Sequence, residues 1–85
     1  MPRAVRIVLF ATAREAVGRA SIDLSVPAEG VPVRAVLASL GREHRALARL
    51  LPSCRIARNG RYVSPRSGRV GPGDELAIHP PYSGG

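Results

Sequence analysis

Val5, Ile7 and Leu9 alternate with Arg6 and Val8, and after Gly18 the same alternation returns at Ile22, Leu24 and Val26. A period of two puts each apolar trio on one face of an extended strand, so two strands facing a common core are expected, paired as a hairpin and ended by Pro27. The intervening residues 11–19 are too many for a tight turn and read as a wide loop or a helical turn stopped by Gly18. The period then becomes helical. Pro32 suits a first helical turn, Val33, Val36, Leu37 and Leu40 fall on one helix face, and Gly41 is a stop signal, giving a principal helix over 33–40. A second, shorter helix is expected over 42–51, with Leu47, Leu50 and Leu51 apolar and Pro52 as terminator.

Strand patterning resumes in the second half. Asn59-Gly60 between Arg-Ile-Ala-Arg and Arg-Tyr-Val is a two-residue hairpin signal, because both residues tolerate positive φ. It pairs Ala57 with Tyr62 and Ile56 with Val63. Gly71-Pro72-Gly73-Asp74 is a turn, and the last strand runs over 75–79 with Leu76 and Ile78 inward. Pro80-Pro81 can neither donate to a ladder nor continue a helix. The expected order is β-β-α-β-β-β, an α+β fold with one principal helix on one face of a mixed sheet and with the first and last strands as a central parallel pair. Residues 1–79 form the domain and 80–85 a flexible C-terminal tail ending in Gly-Gly.

Composition limits what such a domain can be. An 85-residue chain that is 45% hydrophobic closes one small core. A single cysteine, Cys54, forms no internal disulfide, and with only His44 and His79 there is no zinc-ligand set, so no metal is expected. No apolar run approaches the roughly 20 residues that cross a bilayer, and no signal-peptide core opens the chain, so no membrane partner and a cytoplasmic location are expected. The formal charge is +7, and all thirteen basic residues are Arg. That charge suits nucleic acid, but three aromatics, Phe10, Tyr62 and Tyr82, make a thin stacking platform, and a solvated basic face, able to complement an acidic protein, in a chain whose genome favours Arg codons is the preferred reading. Without lysine, the chain cannot accept an isopeptide bond on a side-chain amine.

Individual candidates sort by their surroundings. Cys54, beside Ile56 and far from any base, reads as a small packed hydrophobe rather than a nucleophile. Asp74 and Glu75 point to opposite faces of a strand, so they are not a catalytic pair, and Asp74 is expected to cap its turn. Strand parity puts Phe10, Tyr62, Ala77 and His79 together on the sheet face that one helix leaves uncovered, where they form a candidate partner-binding patch.

Two segments resemble a known family. Val8-Leu9-Phe10-Ala11 with Arg14-Glu15 and Gly18, and Gly73-Asp74-Glu75-Leu76 with Pro80-Pro81-Tyr82-Ser83-Gly84-Gly85, are similar to the opening and closing segments of the ubiquitin-like sulfur carriers, the family of the molybdopterin synthase small subunit and the thiamin-pathway carrier. His79 stands where an apolar residue is expected. The resemblance implies the β-grasp (ubiquitin-like) fold and a chain that is not catalytic alone. It further implies that an E1-like adenylating enzyme uses ATP to activate the Gly85 carboxylate, which becomes a thiocarboxylate. The large molybdopterin synthase subunit, joined with this one in a heterotetramer, then takes the sulfur for molybdenum cofactor biosynthesis. No cofactor is bound by the carrier itself. Alternatives are a carrier for cysteine, thiamin or tRNA thiolation, a ubiquitin-like modifier, and a basic RNA-binding domain.

The tail suits that chemistry. Six extended residues reach roughly 20 Å, enough for Pro80, Pro81, Tyr82, Ser83 and Gly84 to thread a partner channel and deliver Gly85. The glycines allow close backbone approach, and the prolines lower the ordering cost.

Overall fold

A computed structural model of the chain describes residues 3–81. The first alternating segment is strand β1 (Ala4–Leu9), and β2 (Ser21–Ser25) lies antiparallel to it, with Val5 opposite Leu24 and Ile7 opposite Ile22. Val26, just past the strand, stays buried. The connection between the strands is helical, α1 (Ala11–Val17), and Gly18 ends it at φ 82°, its N–H donating to the Arg14 carbonyl at 2.8 Å. That left-handed position favours glycine, which is why the stop is sharp.

Several features in the middle differ from expectation. A short strand, β3 (Val31–Pro32), pairs antiparallel with β6 (Arg69–Val70), and the chain reaches it through Gly30 at φ 81°. A Cβ on Gly30 would stand 2.8 Å from the Val70 carbonyl oxygen, so this contact requires glycine. Pro32 therefore sits in an extended conformation as the cap of α2 (Val33–Glu43) rather than in its first turn. Gly41 does not stop that helix. It lies inside it, because α3 (Arg45–Ala48) folds back so closely that a Cβ at Gly41 would meet the Ala48 Cβ at 3.3 Å. The second helix is thus shorter than the expected 42–51, and Pro52 lies within a following 3-10 turn (Leu51–Ser53) instead of ending α3; at such a position its missing N–H goes unused.

The remaining strands follow the sequence pattern. β4 (Arg55–Arg58) and β5 (Arg61–Tyr62) flank Asn59 at φ 49° and Gly60 at φ 86°, the doubly left-handed turn that Asn-Gly favours. Ala57 pairs with Tyr62, and the Val63 N–H donates to the Ile56 carbonyl at 2.9 Å. β7 (Glu75–His79) enters between β1 and β4, parallel to β1 (Ile7 opposite Leu76, Leu9 opposite Ile78) and antiparallel to β4. Among the described residues the main sheet has the order β2-β1-β7-β4-β5, with the β3–β6 pair beside it. This is the β-grasp architecture, α+β with a mixed sheet. Among the described residues no helix is long and apolar enough to cross a membrane.

Packing is apolar throughout. Val5, Ile7, Leu76 and Ile78 from the sheet meet Val33, Leu40 and Leu47 from the helices, all fully buried, and no polar side chain is buried among the described residues. Each large side chain so buried contributes on the order of 1.5–3 kcal/mol.

Outside the core, the turn before β7 is tied to the β4–β5 turn. The Asp74 carboxylate accepts from the Asn59 side-chain amide at 2.9 Å and from the Gly71 N–H at 2.8 Å, while Asn59 Oδ1 accepts from the Glu75 N–H at 2.9 Å. The Asn59 bond and then the Gly71 N–H hold the Asp74 carboxyl below its ordinary pKa. A lowered folded-state pKa stabilises the fold at pH values above the unfolded pKa, and the contribution is lost as pH falls through the folded one. Asp74→Ala should cost about 1 kcal/mol at neutral pH, the group being open to solvent. Urea melts of the two proteins should converge as pH drops below the usual aspartate range of about 4.

Candidate functional site

The helices cover one face of the sheet, and strand alternation sends the other residues to the opposite face. In one row across the strands, Val8 is opposite Ala77, Ala77 opposite Ala57, and Ala57 opposite Tyr62. In the next, His79 is paired with Arg55, and Phe10 follows directly after Leu9 at the end of β1. On the other side Arg6 lies between Asp23 and Glu75 and pairs with Asp23 at 3.5 Å, both side chains so exposed that the bond adds little stability. The result is an apolar strip with charged edges.

Phe10 is placed by local backbone. It is extended (φ −121°, ψ 151°), and Ala11 then adopts φ 50°, turning the chain from β1 into α1 in one residue. A left-handed residue bearing a Cβ costs on the order of 1 kcal/mol. The turn leaves the Phe10 ring stacked on the His79 imidazole, centroids 4.6 Å apart and planes within 8°. Tyr62 meets the imidazole edge-on at 6.3 Å, and the Arg55 guanidinium stands 5.4 Å from the Tyr62 ring centre. Such pairs contribute roughly 0.5–1.5 kcal/mol each beyond area burial. They order rings that remain open to solvent, Phe10 at 43% and Tyr62 at 66% exposure. His79 stands where the resemblance favours an apolar residue, and its planar imidazole takes that place by stacking on Phe10.

Phe10, Tyr62, Ala77 and His79 are therefore brought onto one face. Val8, Arg55 and Ala57 belong with them and were not singled out from the sequence. The signal was available, since Ala57 shares the register row of Tyr62 and Ala77. Ala57 is 6% exposed, so it helps form the base of the patch rather than its rim.

His79 is also the last residue of β7. Pro80 follows half-buried and Pro81 exposed, so the chain leaves the sheet at the edge of the aromatic cluster. Tyr82, Ser83, Gly84 and Gly85, assigned to the tail from sequence, lie outside the described residues. Cys54 packs against the core and donates its S–H to the Leu50 carbonyl at 3.1 Å; burial pushes its thiol pKa up, which disfavours the nucleophilic thiolate. Among the described residues no three His, Cys, Asp or Glu side chains gather to hold a metal.

A model of the ThiS family matches residues 7–85. The chain is 33% identical over 84 residues to the molybdopterin synthase sulfur carrier subunit of Chlamydomonas reinhardtii, covering 95% of this chain and 98% of that one. The crystal structure of SAMP1 from Haloferax volcanii superposes with a TM-score of 0.82 at 29% identity, over 96% of this chain and 99% of that one. The solution structure of small archaeal modifier protein 1 (SAMP1) from Methanosarcina acetivorans gives 0.79 at 29% identity, over 100% and 99%.

Phe10→Ala removes the stack without touching the core. The ring protons of His79 should lose the upfield shift that an overlying aromatic ring imposes, as read by NMR. Melting should fall only by the few degrees that about 1 kcal/mol represents in a domain of this size.

Proposed function

The chain belongs to the ThiS family, and from that premise we propose that it is the sulfur-carrying small subunit of a molybdopterin synthase, working in the cytoplasm. The observation that carries this reading is the reach of the family match, which runs from β1 through Pro80-Pro81 to Gly84-Gly85. The likeness to a molybdopterin synthase sulfur carrier subunit over nearly both full lengths supports the pathway.

On this reading the chain is not catalytic alone; its nucleophile forms on the Gly85 carboxylate. A carboxylate is anionic and resonance-stabilised, so sulfur cannot replace its oxygen directly. An E1-like partner joins the carboxylate to AMP from ATP, releasing pyrophosphate, and the mixed anhydride then yields to a sulfur donor with AMP as leaving group. The resulting thiocarboxylate is a soft nucleophile whose sulfur attacks the pterin precursor in a pocket of the large subunit shielded from bulk water, and hydrolysis of the thioester so formed leaves the sulfur on the pterin and returns the Gly85 carboxylate. ATP belongs to the activating enzyme, and no cofactor resides on the carrier. The patch of Phe10, Tyr62, Ala77 and His79 is the docking surface, placed where the chain leaves β7 so that docking aims residues 80–85 at the partner's site.

A second reading has its own observation. Both SAMP1 structures superpose over nearly the whole chain, which favours a protein modifier joined through Gly85 to amines of other proteins. Intact mass of the protein from its own host separates the two, because a carrier gains only the difference between sulfur and oxygen whereas a modifier appears in heavier adducts.

Deleting Gly85 should leave melting unaltered and abolish thiocarboxylate formation with ATP, activating enzyme and a sulfur donor. The deletion withdraws the carboxylate by about 3.5 Å, and a positioned reaction loses about a hundredfold for a misplacement near 1 Å. Gly84→Val should be similarly damaging, and Ser83→Ala should matter little. Retained activity in the deletion would end the sulfur-carrier reading.

Phe10→Asp and Tyr62→Asp should keep the fold and weaken binding to the large synthase subunit by tenfold or more in calorimetry, on the order of 1.4 kcal/mol, because a solvated charge must be stripped of water on docking.

A further inference from the structure

A second surface lies on the helix side of the molecule. Gly41 lets α3 fold against α2, and the 3-10 turn and the 64–66 segment complete an open groove of about 1140 Å³. Its lining is mostly apolar, with Leu37, Ala38, Leu51, Pro52 and Pro65 among it. Arg42, Arg45, Arg49 and Arg66 line it, all four exposed, and no acidic side chain does. Among the described residues the one ion pair joins Arg6 to Asp23, so none of these four guanidinium groups has a carboxylate partner.

Four cations converging on one groove repel each other, an arrangement that a complementary anionic surface relieves. Small molecules fit it poorly: the groove exceeds the roughly 300–1,000 Å³ of ordinary ligand pockets and is open along its length. Nucleic acid satisfies only the charge: among the described residues no aromatic side chain lines the groove to stack a base, and a phosphate backbone leaves the apolar lining uncovered. An acidic amphipathic protein segment satisfies both parts. Its apolar side chains cover the apolar lining, and its carboxylates take the paired N–H donors that guanidinium presents.

We propose that the groove between α2, α3 and the 64–66 segment is a docking site for an acidic amphipathic segment of a partner protein, distinct from the aromatic patch on the sheet. It does not rest on the sulfur-carrier reading. Because groove and patch are on opposite faces of the sheet, the chain can hold one partner at each.

The test uses a displayed library of random peptides about four helical turns long, panned against the full chain carrying Phe10→Asp and Tyr62→Asp and, in parallel, against the unaltered chain. Enriched peptides are then measured by fluorescence anisotropy at physiological ionic strength. They should combine Asp or Glu with large apolar residues at spacings of three and four, and bind the unaltered and patch-altered chains equally. Their affinity should fall about tenfold or more when Arg45→Glu and Arg49→Glu are combined. Arg45→Gln with Arg49→Gln, which keeps most of each side-chain stem, should weaken binding in the same direction with melting unchanged. The proposal is overturned by an absence of enrichment, by enriched peptides without acidic residues, by affinity indifferent to Arg45 and Arg49, or by tighter binding of a uridine oligomer in the same buffer.

Discussion

The parallel pairing of β1 with β7 is the contact on which the rest of the molecule depends. It joins segments from opposite ends of the chain, setting Ile7 beside Leu76 and Leu9 beside Ile78, all buried. Closing so long a loop has an entropic cost that only burial of the intervening chain can offset. The helices meet that need by covering these rows with Val33, Leu40 and Leu47. The same pairing fixes the opposite face, because each inward residue has an outward neighbour. Once Leu9 faces Ile78, Phe10 comes beside His79, and core and aromatic patch are two consequences of one register.

Position along β7 matters as much as its partner. The strand lies between β1 and β4, so it has no free edge, and it ends at His79 beside the Phe10 and Tyr62 rings. The chain then passes to Pro80 and Pro81, neither of which can extend the ladder. The aromatic patch therefore lies where the chain leaves the sheet.

The arginines divide by role in a way that net charge conceals. Arg58 donates to the Arg69 carbonyl at 2.7 Å, and Arg69 in turn donates to the Gly30 carbonyl at 3.3 Å, so these two join the β4 end, β6 and the turn before β3. Arg55 lies over the Tyr62 ring, and Arg6 joins Asp23. Among the described residues, Arg42, Arg45, Arg49 and Arg66 gather on one groove with no such partner. Guanidinium serves all these uses because it is planar, permanently charged and rich in donors.

Several features were legible because their physics is local. Alternation at Val5, Ile7 and Leu9 decides a strand, Asn59-Gly60 decides its turn, and Pro80-Pro81 ends the last strand whatever lies around them. Parity alone brought Phe10, Tyr62, Ala77 and His79 to one face. Other features depended on distant atoms. Gly41 reads as a helix stop until Ala48 is packed against it, and Pro52 as a terminator until its turn is seen. The β3–β6 pair joins residues nearly forty positions apart, too short on either side to leave a periodic signal. By itself the sequence determined the five strands of the main sheet, the principal helix and the parity that gathers the patch, since backbone preference and hydrophobic period act within a few residues. Tertiary structure alone decided the stacking of His79 on Phe10, the close approach of α3 to α2 and the arginine groove it creates, because these depend on where separate elements come to rest.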